Sequence, residues 1–534
     1  MHQALLLCLS LLLAVSLFVM LGQRLRISAP IFLVISGLGL SLIPGIPRIS
    51  VDPDLIFLIF LPPLLYEAAW YTSWKEFWRW RRIIIVLAFG LVFFTSMAVA
   101  YVSQAVIPGF TLALGFLLGG VISPPDAVAA ASILKSVKVP KRISSILEGE
   151  SLVNDASSLV VFRFALAALL SSTQTFVWQT AITDFLKVTG FGIGIGLAVA
   201  GIFYVIHRWL PTTTRISILL TFMAPYIMYL TAEEFEASGV MAVVSGGLFL
   251  SNHSHQILNH SARIQGSGMW ATVVFALNGL VFILIGLELP VIMNGLESYS
   301  KVEAIGYALL ITALVIGIRL GVTLFSVGFT MFIGGFISVA DRYPGWRGPI
   351  IIGWAGMRGV VSLASALSIP LVLTNGQPFP HRNLILFITF VVILSTLVLQ
   401  GLSLPFIIRK VNYADPDHRA PEEEQEAKIR LTLLNIALTE LDDKYADVVR
   451  SNELVGNFRS HLENDIDSTA YHLKSLECDG VKIKEYNRVI SRIIGAKRKE
   501  LQKLRNREEF DDEVIRKEEA RMDLEEEKID HPLH

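Results

Sequence analysis

Charge is what this sequence has least of. Asp, Glu, Lys and Arg make up 17% of its 534 residues, against about 25% in soluble globular domains. Hydrophobic residues make up 53%, and the net charge of −1 gives no excess of basic residues for nucleic acid. Cysteine is nearly absent. Cys8 sits in an apolar run and Cys478 in a charged tail, so no disulfide framework holds the fold. No Walker loop and no GxSxG elbow is present, and no nucleophile or metal cluster marks the apolar runs as an enzyme. The first 22 residues lack a basic start, and Gln23–Arg26 lacks a small-residue cleavage site. That segment is therefore expected to stay as a helix.

What is there is a series of apolar runs of about 17–28 residues, the length that crosses about 30 Å of hydrocarbon. They fall near 4–22, 27–43, 54–72, 83–107, 110–134, 143–171, 184–209, 216–232, 238–251, 268–293, 303–333, 349–373 and 384–408. The expected fold is an all-α polytopic membrane protein of about thirteen transmembrane helices in contact with lipid. Alternate loops carry most of the cations: Arg24 and Arg26; Lys75, Arg79, Arg81 and Arg82; Lys135, Lys138, Lys141 and Arg142; Arg208 and Arg215; Arg263; Arg342 and Arg347; Arg409 and Lys410. The other loops carry Arg48, Lys301 and Arg382. The positive-inside rule makes the first set cytoplasmic, with the N-terminus outside and the tail inside. Trp70, Trp74, Trp78 and Trp80 fit an aromatic belt at the inner face. The destination read from this orientation is the plasma (cytoplasmic) membrane.

Residues 1–410 form the expected membrane domain and 411–534 a cytoplasmic helical tail. In the tail, Leu431, Leu434, Leu438, Leu441, Tyr445 and Val448 recur at helical spacing, and so do Val489, Ile490, Ile493, Ile494, Leu501 and Leu504. The simplest reading is a solvated helical bundle. The sharper one is a dimerising tail, or one that binds a regulatory partner.

The stretch from Gly119 to Ala165 organises the rest. Two apolar spans there carry Asp126, Glu150 and Asp155. A charge at mid-bilayer costs about 2.5–3.5 kcal/mol on insertion scales. Pro124 and Pro125 stand directly before Asp126, and proline removes a backbone donor and clashes with the preceding turn. That span is expected to break within the membrane. The twelfth span, IIIGWAGMRGVVSLASALSIPLVL, is interrupted at Gly356, Arg358 and Gly359. Two interrupted spans seven apart fit a pair of six-helix repeats of inverted topology, the pattern that marks a transporter site.

Ser151 and Asp155 are four apart and share a helix face, with Asn154 beside them. Carboxylate, hydroxyl and freed backbone carbonyls are hard oxygen ligands that suit a small hard cation. The Asp155 carboxylate also takes a proton, so cation and proton compete for one place. Glu67, after Pro62–Pro63, is either a further member of this set or an interfacial acid beside Trp70. Glu150 and Arg358 lie in different spans and are expected to form a buried structural ion pair. Arg163 and Arg319 are expected to snorkel or to pair with an acid. His207, His253, His255 and His260 read as solvated loop histidines.

The blocks ISPPDAVAAASIL, LEGESLVNDASSLVVF and GMRGVVSLASAL, with FLPPLLYEAAW and FILIGLELP, resemble the sodium/proton antiporters of the cation:proton antiporter superfamily, NhaP/NHE branch. The resemblance covers about residues 5–410. It implies a homodimer with dimerisation and core subdomains, and two crossed, partly unwound helices in the core. It implies Asp155 as the cation- and proton-binding carboxylate, with Asp126, Ser151 and Asn154 around it and Glu67 joining, and Glu150–Arg358 as a stabilising pair. An Asn154–Asp155 pair resembles the electroneutral branch. The family often has Thr before the broken-helix Asp and Pro after it; here Pro125 precedes Asp126 and Ala127 follows. That departure leaves Na⁺, Li⁺ and K⁺ open as cargo.

The function expected is secondary antiport of a monovalent cation against H⁺ by alternating access, serving pH and cation homeostasis without a cofactor. The alternative from another class is a cation channel gated by the tail.

Overall fold

The computed structural model describes residues 2–25, 27–43, 53–134, 137, 139–170, 178–296, 299–333, 345–373, 376–413, 422–476, 480–505 and 512–530. Arg26, Arg48, Lys135, Lys138, Arg342 and Cys478 lie outside them. The chain divides into two compact units, Met1–Asp415 and Pro416–His534.

Among the described residues, the first unit is helical apart from turns and one isolated antiparallel bridge, Val372 to Pro378. It begins with α1 (His2–Leu25), α2 (Ala29–Ser41) and α3 (Pro53–Tyr71). Next, α4 (Trp74–Ile85) runs through a π-helical stretch, Val86–Leu91, into α5 (Val92–Val106). An interrupted pair follows, α6 (Leu112–Ile122) and α7 (Ala127–Leu134), then α8 (Lys141–Leu170), α9 (Trp178–Trp209), α10 (Thr214–Glu234), α11 (Gly239–Asn252) and the single turn α12 (Ser254–Ile257). The long α13 (His260–Asn294) and α14 (Lys301–Ile333) precede a second interrupted pair, α15 (Arg347–Trp354) and α16 (Val360–Leu367). Finally α17 (Arg382–Ser395) passes through a π-helical stretch, Thr396–Gln400, into α18 (Gly401–Val411). Among the described residues, eight helices are long and apolar enough to cross a membrane, and α2, α6 and α11 are shorter apolar helices. Many large apolar side chains face outward, among them Leu5, Leu9, Phe191, Ile202, Phe325 and Phe406. That outer surface suits lipid.

The breaks follow from sequence. Pro124 and Pro125 end α6, and Gly356 and Gly359 punctuate the second break. Threonine and serine oxygens cap helix starts: Thr111 accepts from the Leu114 N–H at 3.3 Å and Ser238 from the Met241 N–H at 3.2 Å. The apolar interior forms two clusters. One runs through α1, α2, α4–α8 and α13–α18. The other joins α3, α9, α10 and α11 to one face of α8. Helix α6 is central to the first, packed on α5 and on α8.

Three expectations are corrected here. Trp80 is not at an exposed belt position; it is 2% exposed, under the guanidinium of Arg142 at 4.4 Å from the ring centroid. Trp74 and Trp78 do stand exposed and stacked on each other. His207 is buried in α9, and His253, just past α11, packs on Phe249 and Tyr204, because the turn α12 folds back on the end of α9, where Tyr204 and Arg208 bond to Gln256.

The second unit holds α19 (Glu422–Lys444), α20 (Ala446–Ser451), α21 (Glu453–Leu476), α22 (Gly480–Arg505) and α23 (Asp512–Asp530). Helices α19 and α21 pair, with Arg459 reaching Asp442 at 2.8 Å, and α22 pairs with α23 through Arg498 to Asp523 and Glu526. Leu431, Leu434, Leu438 and Leu441 are half-buried, whereas Tyr445 and Val448 are exposed because α19 ends at Lys444.

The α5–α6 crossing is tight. A Cβ on Gly115 would stand 2.6 Å from the Ala100 Cα, and one on Gly119 would stand 2.6 Å from the Ser96 Cα. The Gly119→Val substitution is expected to destabilise by about 1–3 kcal/mol, the usual cost of overpacking. Thermal unfolding in detergent reads it; an unchanged midpoint would contradict the crossing.

Candidate functional site

Helix α8 turns its acidic and amide side chains onto two faces. Glu148, Ser151 and Asp155 are spaced three and four apart, so they share one face. Glu150 and Asn154, four apart, share a second face and differ in their partners, Arg319 of α14 and the Pro125 carbonyl.

The shared face of Ser151 and Asp155 lines a cavity of about 280 Å³. Its walls bring Glu67, Tyr71 and Thr72 from α3 and its end, Pro124, Pro125 and Asp126 from the first break, Gly359 and Ser362 from the second, and Asn278 from α13. Leu61, Leu65, Leu152 and Val361 supply apolar surface. The volume has room for a small cation and several waters, each taking about 30 Å³ in the liquid. Asp155 is 7% exposed and lies deep, while Glu148 and Tyr71 are exposed at the mouth. Among the described residues, no three His, Cys, Asp or Glu side chains close on one point as a resident metal centre would.

The two breaks cross behind this cavity. The Asp126 N–H donates to the Met357 carbonyl at 2.6 Å. Asn154 Nδ2 donates to the Pro125 carbonyl at 3.0 Å, so α8 holds the first break in place. A Cβ on Gly359 would overlap the Asp126 carboxylate. A side chain at 359 would displace that carboxylate, which sits at the N-terminal end of α16, the end that favours negative charge.

Arg358 is 1% exposed and serves the opposite ends. Its Nε donates to the Ile122 carbonyl, the last of α6, at 3.1 Å, and its Nη1 donates to the Gly356 carbonyl just past α15. These are carbonyls a broken helix leaves without an intrahelical partner, at its negative end. Its backbone N–H donates to Thr396 Oγ1 at 3.1 Å, in the second π-helical stretch.

The expected Glu150–Arg358 pair is therefore not formed. Glu150 is held bidentately by Arg319 of α14, at 2.6 and 2.8 Å, with both side chains 1% exposed. Arg319 reaches it by packing over Gly356, where there is no side chain in the way, and also donates to the Ile352 carbonyl at 3.2 Å. Arg358, next to the break, is drawn instead to backbone oxygens. The other intramembrane arginine, Arg163, pairs with Glu233 at 2.6 Å.

The pattern of the transmembrane sodium/hydrogen exchangers matches residues 9–410. The chain belongs to the sodium/hydrogen exchanger family. Among curated exchangers, an uncharacterised one from Mycobacterium tuberculosis is 31% identical over 524 residues, 96% of this chain and 94% of its own, so that alignment takes in tail residues as well. The sodium, potassium, lithium and rubidium/H⁺ antiporter of Bacillus subtilis is 31% identical over 86% of this chain and 70% of its own. The Na⁺/H⁺ antiporter ApNhaP of Aphanothece halophytica is 32% identical over 72% of this chain and 70% of its own. In fold, the exchanger resembles the sodium proton antiporter MjNhaP1 of Methanocaldococcus jannaschii, with a TM-score of 0.61 over 77% of this chain and 99% of that one, at 19% identity.

The cavity thus gathers Asp155, Asp126, Ser151 and Glu67, and leaves Asn154 beside it as a brace. Glu67, half-exposed, is among the residues that line the cavity. Three lining residues, Glu148, Asn278 and Ser362, are additions. Glu148 was within reach of a helical wheel drawn through Ser151 and Asp155. Asn278 stands as a lone amide in ATVVFALNGLVFILIG.

Removing either Glu150 or Arg319 leaves a buried charge without its partner, at about 3–5 kcal/mol. Glu150→Gln and Arg319→Gln are each expected to lower the unfolding midpoint sharply, and Glu150→Leu/Arg319→Met together to lower it less. A double-mutant cycle that couples Glu150 to Arg358 rather than to Arg319 would reverse this assignment.

Proposed function

We propose that the protein is a secondary antiporter exchanging a monovalent cation, Na⁺ first among Na⁺, Li⁺ and K⁺, for H⁺ at Asp155. The observation that carries this reading is the single cavity in which Asp155, Asp126, Ser151 and Glu67 meet beside two crossing helix breaks. The family and the named antiporters among its relatives support the same reading. Nothing in them favours a channel.

In the mechanism, the cation enters at Glu148 and Tyr71 and settles against Asp155 with Ser151 and Asp126 as oxygen ligands, keeping part of its water. Either the cation or a proton occupies the Asp155 carboxylate. A protonated carboxyl holds no cation, so loading one releases the other. The Asn154 amide, spent on the Pro125 carbonyl, adds no second charge beside Asp155. One carboxylate then trades one cation for one proton, which makes the exchange electroneutral. Arg358 and the Glu150–Arg319 pair hold the crossing together while the cavity closes on one side and opens on the other.

The same reading extends to thirteen spans, two inverted six-helix repeats and a homodimer of protomers with core and dimerisation subdomains. The end of the cavity at Tyr71 and Glu148 lies beside the basic segments Lys75–Arg82 and Lys141–Arg142, the side the positive-inside rule makes cytoplasmic. The N-terminus is then outside, the tail inside, and the plasma membrane the destination. There the exchanger would serve pH and cation homeostasis, with the tail available to a regulatory partner.

Proteoliposomes loaded with a pH dye test this. Adding Na⁺, Li⁺ or K⁺ to wild type is expected to move protons, and Asp155→Asn to move at least a hundredfold fewer. The KM for the cation is expected to rise as pH falls, because protons then fill the carboxylate. An Asp155→Asn protein that still exchanges would remove the site; a wild type that passes cations without protons would remove antiport.

A further inference from the structure

Ser362 has no assigned task, and its surroundings give it one. It lies in the first turn of α16, 1% exposed, and it lines the cavity. Its hydroxyl oxygen makes no hydrogen bond among the described residues. Ser157 donates to the Ala88 and Asn154 carbonyls and Ser158 to the Asp155 carbonyl, whereas the buried hydroxyls of Ser96 and Ser123 also make no hydrogen bond among the described residues; of these three hydroxyls left without a partner, Ser362 is the one that lines the cavity. A serine in a helix readily bonds back to the carbonyl three or four residues earlier. Near the start of α16 those carbonyls belong to the break at Arg358 and Gly359, so that route is not taken. A buried hydroxyl left without a partner costs about 1–3 kcal/mol. Such a group in a polar cavity points to a ligand.

Helical spacing says where that ligand would stand. Ser362 is three residues after Gly359, the N-cap that precedes α16, and both line the cavity. Gly359 is the residue whose missing Cβ makes room for the Asp126 carboxylate. The hydroxyl therefore stands one turn along α16 from that carboxylate. The first break cannot offer a hydroxyl at the matching place, since Pro125 fills the position before Asp126. Ser151 supplies one hydroxyl from α8, and Ser362 is placed to supply a second from the crossing helix.

We propose that Ser362 donates a neutral oxygen to the transported cation and sets the preference among Na⁺, Li⁺ and K⁺. The assignment presupposes the antiport reading above. Carboxylates supply the charge that draws in every monovalent cation, with a strength that also depends on how closely each ion approaches. Discrimination between ions of one charge falls to the number and spacing of hard oxygens. A hydroxyl fixed on α16 also ties the cation to both broken helices at once, so an ion of the wrong size strains the crossing.

The test uses the full chain in proteoliposomes and, separately, in detergent. In proteoliposomes, the KM for Na⁺, Li⁺ and K⁺ is measured at one pH for wild type, Ser362→Ala, Ser362→Thr and Ser362→Cys. Ser362→Ala is expected to raise the KM for the preferred cation roughly five- to tenfold, the worth of one such ligand, and to shift the others less than twofold, so that the preference flattens. Ser362→Thr keeps the oxygen and the preference. Ser362→Cys replaces a hard oxygen with a soft sulfur of similar size and is expected to behave as Ser362→Ala. Equal shifts for all three cations, no shift, or a fall in maximum rate with the KM ratios kept would each overturn the assignment. If Ser362→Ala fails to fold, Ser362→Cys decides alone, and wild-type KM ratios in it would sink the idea.

In detergent, the rise in unfolding temperature with NaCl, LiCl or KCl, taken against choline chloride, reads cation binding without transport. Wild type is expected to rank the three salts and Ser362→Ala to lose the ranking. A wild type that ranks the salts but exchanges no protons would remove the antiport reading and leave the role of Ser362 in cation binding standing. A ranking that survives in Ser362→Ala would remove that role whatever the transport result.

Discussion

Interrupting two helices inside a membrane leaves carbonyls near the ends of α6 and α15 without intrahelical partners, and the Arg358 guanidinium is what receives them. In hydrocarbon each such group would cost several kcal/mol if left bare. One cation placed where both negative helix ends converge answers both, and its backbone N–H is anchored in turn by Thr396. With those ends held, the opposite ends of the crossing are free to face the cavity. There Asp126 and Gly359 stand at the starts of α7 and α16, where negative charge is favoured. The crossing thus separates its own polarity: positive side chain behind, carboxylates in front.

Helix α8 supports this from one side by giving each of its polar residues a separate partner. Asn154 grips the first break at the Pro125 carbonyl, and Glu150 reaches across to Arg319, which in turn touches the end of α15 through the Ile352 carbonyl. The π-helical stretches in the neighbouring helices belong to the same construction. At Val86–Leu91 the Ala88 carbonyl accepts from Ser157 of α8, and at Thr396–Gln400 the Thr396 hydroxyl accepts from Arg358. Both stretches turn polar atoms sideways, toward the crossing, where a regular helix would keep them to itself.

Much of this was legible in the chain because membrane sequences are written in strong contrasts. Acids in apolar runs, a double proline before Asp126 and a Gly-Met-Arg-Gly in a hydrophobic span are rare enough that each carries information. They located both breaks and the shared face of Asp155 and Ser151; for Arg163 and Arg319 they left snorkelling and pairing with an acid both open, and the structure shows the pairing. The partner of Glu150 was not legible. Two arginines in different spans were available, and the choice turned on Gly356 opening a path for Arg319 while Arg358 was claimed by backbone carbonyls. Neither fact has a sequence signature. Ser362 was hidden for another reason: a serine among Val, Leu and Ala in a short helix reads as packing until the hydroxyl is seen to lack a partner. Trp80 and His207 were misplaced because periodicity near a helix end does not say which neighbour covers it.

Consider the formal charges of the side chains gathered at the crossing. Asp126, Asp155 and Glu67 of the cavity and Glu150 beside it stand against Arg319 and Arg358, so acids outnumber bases in the emptied assembly. Moving such an assembly through a low-dielectric slab is penalised by its own field. A bound Na⁺ or a proton lowers that excess by one. For the exchange proposed above, this favours movement of the loaded carriers over the empty one. Slippage, in which the machine returns with nothing aboard and dissipates the gradient, is then opposed by electrostatics.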